Sequence, residues 1–244
     1  VIVVLNIGGV IETASWKDEP DAILLAWQGG QEGGNSVADI LSGRVNPSGK
    51  LPMTFPVNLK DHASHANFPL QGGSMGMTDM LSGREEKPQS EKVRNKDFTN
   101  YEEGIYVGYR HFDKAGLPVS YPFGYGLSYT DFTIGEMTTT VENDTILLAL
   151  PVTNNGDRAG KEVVQAYVSK PNTSIDRPVR ELKAFAKTRL LQPGDTEEVV
   201  FQIPVRDLSY WNEARSAWAL EKGVYSIEVG SSSREIRQST DIEL

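Results

Sequence analysis

From about Phe132 onward the apolar residues of this chain recur at every second position, and that change of period constrains the fold more than any other feature. Successive side chains of an extended strand point to opposite faces, so a period of two means one face buried and one wet. Ile146, Leu148, Leu150 and Val152 form one such face. Val164, Ala166 and Val168 form a second, Val199, Phe201 and Ile203 a third, and Tyr225, Ile227 and Val229 a fourth. Asn154-Asn155-Gly156-Asp157, Pro193-Gly194-Asp195 and Lys222-Gly223 separate these runs. Gly, Asn, Asp and Pro favour turns because they reach or pre-set the backbone angles a reversal needs. Short alternating strands with regular turns predict a β-sandwich over residues 132–244.

Residues 1–131 follow a different pattern. Val1-Ile2-Val3-Val4-Leu5 and Ala22-Ile23-Leu24-Leu25-Ala26 are apolar without alternation, as in strands covered on both faces of a parallel sheet. Between them, Asn6-Ile7-Gly8-Gly9 reads as a turn and residues 10–17 as a short helix with Trp16 inward. Strand, helix, parallel strand predicts a right-handed crossover. After Trp27, two glycine pairs bracket Gln31-Glu32, and Val37, Ile40 and Leu41 at helical spacing predict a helix capped by Asn35 or Ser36 and closed by Gly43. The fold class expected is therefore α/β plus all-β: the tail of a doubly wound sheet, then a sandwich. A chain that opens inside a buried strand, without Met, is expected to be the carboxyl-terminal piece of a longer polypeptide.

Three stretches carry a more specific signal. Ser42-Gly43-Arg44-Val45-Asn46-Pro47-Ser48-Gly49-Lys50-Leu51-Pro52 with Thr54-Phe55-Pro56 resembles the motif near the end of the second domain of family 3 glycoside hydrolases. Tyr101-Glu102-Glu103-Gly104-Ile105-Tyr106-Val107-Gly108-Tyr109-Arg110 and Pro122-Phe123-Gly124-Tyr125-Gly126-Leu127-Ser128-Tyr129 resemble the next two, in the family's order. The resemblance implies that the sandwich is a fibronectin type III-like domain. It also implies retaining hydrolysis of a β-linked glucoside or oligosaccharide, without a cofactor. In that mechanism one carboxylate attacks the anomeric carbon and a second protonates the leaving oxygen, ~5–5.5 Å away. The family's nucleophile is an Asp on a (β/α)8 barrel, and its acid/base Glu precedes the first strand seen here. The resemblance therefore implies that no residue of this chain is catalytic. A β-glucosidase is the first reading. A carbohydrate-binding or scaffold module, and a subunit completing an active site in trans, are the rivals.

Candidate binding residues are few. Gln28, Gln31 and Glu32 sit after a strand's carboxyl end, where open α/β sheets place functional groups, and are candidates to line a cleft. A helix amino terminus would lower the pKa of Glu32, the wrong direction for a general acid, so Glu32 is expected to tie down the turn through backbone hydrogen bonds, with Gln28 and Gln31. Glu102 or Glu103 is expected to make a buried ion pair with Arg110. Tyr101, Tyr106, Tyr109, Tyr121, Tyr125 and Tyr129 are expected at a junction between the two parts. Trp211 and Trp218 belong to the sandwich, in core or interface packing, with an exposed sugar platform as the alternative. His62 and His65 have a metal-ligand spacing but lie in a loop-like stretch, and His111 is expected to pack or cap. Periodicity fails over residues 57–100, an insertion in which Phe68, Met75 and Met77 are candidates to flank the leaving-group side of a pocket.

A net charge of −9 argues against a phosphate-backbone partner, which needs clustered Lys and Arg. No apolar run approaches a membrane span. The absence of cysteine excludes disulfides and thiolate chemistry. It leaves the compartment open, with a periplasmic or secreted setting favoured over a cytoplasmic one, and a homodimer is likewise left open.

Overall fold

The computed structural model describes residues 1–66 and 101–244. Strands β1 (Ile2–Leu5) and β2 (Ala22–Leu25) pair in parallel, Ile2 opposite Ala22 and Leu5 opposite Leu25. The helix expected over residues 10–17 is not formed. The segment makes a single turn in which Thr13 O accepts the amides of Trp16 and Lys17. The Glu12 carboxylate takes both the amide (2.8 Å) and the hydroxyl (2.7 Å) of Ser15, and Pro20 follows closely. Local side-chain bonds of this kind compete with helix propagation, and proline disfavours it.

Helix α1 (Gly33–Leu41) starts before the expected Asn35 or Ser36 cap. Asn35 instead donates back to the Glu32 carboxylate at 2.6 Å. The predicted end holds: Gly43 has φ +73° and its amide reaches Ile40 O, a left-handed closure that glycine adopts without strain. Strand β3 (Phe55–Pro56) runs antiparallel to β4 (Val119–Tyr121), and helix α2 (Tyr109–Lys114) precedes β4. Within the expected irregular insertion, residues Leu59–Asp61 and Ala63–Ala66 form short 3-10 turns. Phe68, Met75 and Met77 lie outside the described residues.

The remainder is a sandwich of two antiparallel sheets. In one, β7 (Thr145–Asn154) pairs with β10 (Thr196–Pro204) on one edge. On its other edge lie β5 (Phe132–Ile134) and β6 (Thr138–Glu142). The other sheet has the order β14 (Glu235–Glu243), β13 (Val224–Ser232), β8 (Val163–Ser169), β9 (Glu181–Lys187). A small hairpin, β11 (Tyr210–Asn212) with β12 (Ala217–Ala219), completes the chain. The four alternating faces read from the sequence are the core: every one of those side chains is buried and belongs to one cluster. Burying each large apolar side chain contributes ~1.5–3 kcal/mol, so this cluster dominates the stability of the sandwich. Gly194 (φ +83°) and Gly223 (φ +114°) occupy two of the predicted turns.

Candidate functional site

The carboxyl edge of β1 and β2 carries the predicted cleft candidates. Trp27, directly after β2, has φ +53°. For a bulky residue this is strained, and such strain persists only where the surroundings impose it. Here the next residue, Gln28, lies over Gly8, where an added Cβ would meet Gln28 Nε2 at 2.8 Å. Gln28, Gln31 and Glu32 are all exposed. Glu32 does not make the backbone hydrogen bonds expected of it, since its side chain caps nothing and bonds Asn35. The turn is held by backbone contacts instead: Gly33 N donates to Gly30 O and Ser36 N to Glu32 O. These residues present amides and a carboxylate to solvent.

The three motifs, by contrast, fasten the two parts of the chain to each other. Leu51 N donates to Tyr125 O and Gly124 N to Leu51 O, both at 2.8 Å, so the first and third motifs pair like a short ladder. Lys50 Nζ donates to Gly126 O and pairs with Glu162 Oε1, both at 2.9 Å. Asn46 spans the joint: its Nδ2 donates to Ala159 O (3.0 Å) while its Oδ1 accepts from Ser128 (2.9 Å) and Tyr129 N (2.8 Å). Gln165, buried in β8, donates to Gly124 O (3.2 Å) and Ser231 O (2.6 Å) and accepts the Tyr167 hydroxyl (2.6 Å). Buried polar groups held this completely specify one arrangement of the joint.

The second motif lies across the outer face of β8 and β9. Tyr109 accepts the Leu182 amide at 2.9 Å and stacks on Phe123 at 4.8 Å. Tyr106 bonds Asp176, Tyr129 bonds Ile40 O, and Tyr121 packs on Tyr125 at 5.2 Å. Tyr106 and Tyr109 thus reach the sandwich, Tyr121, Tyr125 and Tyr129 make these contacts within residues 1–131, and Tyr101 is exposed. The ion pair expected between Arg110 and Glu102 or Glu103 is made instead with Glu181 of β9, at 3.0 Å. His62 packs on Phe112 at 5.4 Å, and burial lowers its pKa. His111 bonds Asp61 O at 2.9 Å. Trp211 and Trp218 lie on the exposed face of the small hairpin and pack into neither core nor joint, against the first expectation.

The joint also holds two carboxylates whose pKa values burial raises, Asp113 of α2 and Glu228 of β13. Asp113 accepts from Arg234 Nε at 3.1 Å, and Glu228 faces Arg180 Nε at 3.4 Å. The arginines pull both values down without cancelling the cost of burial. Both groups are engaged by arginines within the joint. A raised folded-state pKa means the folded chain binds its proton more tightly than the unfolded one. The associated stability is present below the unfolded carboxylate value near ~4 and is lost as pH rises through the folded value. Wild type should therefore lose melting temperature relative to Asp113→Asn between pH 4 and pH 7. Differential scanning fluorimetry checks this, and a gain over that range would contradict it.

Residues 1–109 match the Glycosyl hydrolase family 3 C-terminal domain, and residues 162–233 match the fibronectin type III-like domain. The chain carries the carboxyl-terminal domains of glycoside hydrolase family 3. A probable β-glucosidase I from Emericella nidulans is 44% identical over 91% of the chain, which covers 24% of that protein. The solved β-glucosidase 3B of Thermotoga neapolitana, in complex with α-D-glucose, has TM-score 0.85 and 46% identity over 99% of the chain, which covers 31% of that structure. The Kluyveromyces marxianus β-glucosidase in complex with glucose has TM-score 0.86 and 36% identity over the whole chain, which covers 26% of that structure. The family 3 chain thus spans about a quarter to a third of the length of these relatives. The family's motifs were legible in the sequence, but Gln165 and Glu162, the sandwich residues they grip, were not. The one available signal was a polar Gln beside Tyr167 in an otherwise apolar strand, which marks a second covered face of β8.

Proposed function

We propose that this chain works as the carboxyl-terminal part of a retaining β-glucosidase, as scaffold and cleft edge, with both catalytic carboxylates supplied by polypeptide beyond it. The observation that carries this reading is the 46% identity and TM-score of 0.85 to a β-glucosidase over 99% of the chain, against only 31% of that enzyme. Two features agree with it. Apolar faces of a parallel sheet are ordinarily covered, yet Val1, Ile2 and Val4 are exposed among the described residues, a surface suited to further polypeptide. The two carboxylates with raised pKa values are engaged by arginines inside the joint and are not available to a glycoside.

Gln28, Gln31 and Glu32, at the carboxyl edge of the sheet, are assigned to the rim of the cleft. In a polypeptide that carries this chain at its carboxyl end, aryl β-glucosides should be hydrolysed with β-glucose released first, as proton NMR of the anomeric signal would show. Gln28→Ala, Gln31→Ala and Glu32→Gln should raise KM several-fold and change kcat by less than about twofold, the signature of lost binding. First release of α-glucose would contradict the retaining assignment. A fall in kcat of about a hundredfold or more in Glu32→Gln would place Glu32 in the chemistry instead.

A further inference from the structure

The small hairpin presents two tryptophans to solvent. Trp211 and Trp218 are direct cross-strand partners and are 51% and 71% exposed. Side chains alternate along a strand, so Tyr210 and Asn212 take the opposite face of β11, where both are half-buried. The indoles meet edge to face, with centroids 5.7 Å apart and planes at 75°. In that geometry the ring that offers its edge keeps both of its own faces free. Neither indole N–H donates a hydrogen bond among the described residues, unlike Trp16, whose N–H reaches Glu12 O at 3.0 Å.

The base of the hairpin is braced by Arg177. The Arg177 guanidinium lies 5.5 Å from the Tyr210 ring centre and donates to Leu208 O at 3.1 Å. Glu221 faces Arg177 at 3.5 Å and accepts from Thr173 and Ser174. At the tip, Asn212 Oδ1 accepts the Arg215 amide at 3.0 Å. Such bracing holds the rings in place before any ligand arrives, which lowers the entropy cost of binding.

The hairpin also sits away from the contacts made by Asn46 and Lys50, whereas the second motif reaches towards it, Tyr106 bonding Asp176 beside Arg177. It connects the last residues of β10 with the first of β13, at the end of the sandwich where Thr145 pairs with Pro204 and Ser169 with Ser226. The bonds from Asn46, Lys50 and Phe123 O engage the other end, at Ala159, Glu162 and Ser233.

We infer that Trp211 and Trp218 form a stacking platform for a β-linked glucan chain, a carbohydrate site on the small hairpin. β-Glucopyranose carries its hydroxyls equatorially, so both faces of the ring are lined by axial C–H groups that pack on an indole, while the indole N–H groups serve the hydroxyls. The choice of a β-glucan rests on the β-glucosidase reading above; the platform is read from the hairpin alone. The pair has a plainer use, in that cross-strand aromatics stabilise hairpins, and the test separates the two.

The 244-residue chain, its Trp218→Ala variant and its Trp211→Ala/Trp218→Ala variant are titrated with a β-1,4-linked glucose hexamer and with an α-1,4-linked one. Tryptophan fluorescence and calorimetry are the readouts. The platform predicts saturable binding of the β-linked hexamer, weaker binding of the α-linked one, and an affinity loss of about tenfold or more in Trp218→Ala. Circular dichroism of that variant should remain native, since Trp218 is exposed. No binding of the β-linked hexamer, or binding unchanged in the double variant, overturns the proposal. Self-association of the wild-type chain that disappears in Trp218→Ala, by analytical ultracentrifugation without glucan binding, also overturns it in favour of a second copy. If the longer polypeptide fails to hydrolyse β-glucosides while the hexamer still binds here, the catalytic reading fails and the platform stands.

Discussion

A Gly126→Ala chain is expected to lose ~3 kcal/mol or more of stability and to melt ~6–12 °C below wild type, at ~2–4 °C per kcal/mol for a chain of this size. The added Cβ would lie 2.2 Å from Gly49 O and 3.1 Å from Lys50 Cδ. The first neighbour is backbone and cannot rotate aside. Moving it separates the first and third motifs, and with them the Leu51–Tyr125 and Gly124–Leu51 hydrogen bonds. It also displaces Lys50 from Glu162, a half-buried pair whose disruption leaves charges poorly compensated. Gly34→Ala supplies the contrast, because nothing lies within 4 Å of its added Cβ in the first turn of α1. That change should raise stability by ~0.4–1 kcal/mol, because alanine leaves the unfolded chain less conformational freedom to lose. Thermal melts followed by circular dichroism check both; equal melting of Gly126→Ala and wild type would remove the joint from its central place.

Ile227→Ala should cost ~2–5 kcal/mol, the range for truncating a fully buried aliphatic side chain. Ile227 is 0% exposed in β13, opposite Val168 of β8 and Thr240 of β14, within the cluster shared by both sheets. With strands on both sides, β13 has little freedom to collapse into the gap. Val200→Ala, on the outer face of β10 at 53% exposure, should change stability by less than ~0.5 kcal/mol. Urea denaturation with an unchanged slope checks this pair. Similar midpoints for the two variants would mean that the sandwich core is not where the stability resides.

The sandwich was readable because its four core strands alternate cleanly, which makes burial a local property of the sequence. β14 was not, since only Ile236 and Ile242 mark its inner face and its outer face is charged, as suits an edge strand. β9 hid for the reverse reason: Phe185 points outward at 69% exposure and blurs the period. The failed helix over residues 10–17 shows pattern overruled by one carboxylate, because Glu12 binds Ser15 and closes a turn that a helix would have extended. The joint was legible on one side only. Asn46, Lys50, Gly124 and Gly126 stand in recognisable motifs, whereas Gln165 matters because Gly124 comes within 3.2 Å of it across the fold. The same gap explains Arg110, whose partner Glu181 lies on a strand seventy-one positions later in the chain.

The carboxyl edge of the β1–β2 sheet is where open α/β sheets place functional groups. Among the described residues Glu32 is the carboxylate that follows β2 there, exposed and hydrogen-bonded to Asn35. The retaining mechanism needs a second carboxylate ~5–5.5 Å away. The decisive measurement is release of the aryl alcohol from an aryl β-glucoside by the purified 244-residue chain at high protein concentration. A scaffold and cleft edge predicts no release above the uncatalysed rate, with wild type and Glu32→Gln indistinguishable. Turnover by the wild-type chain that disappears in Glu32→Gln would contradict it and make Glu32 a catalytic residue.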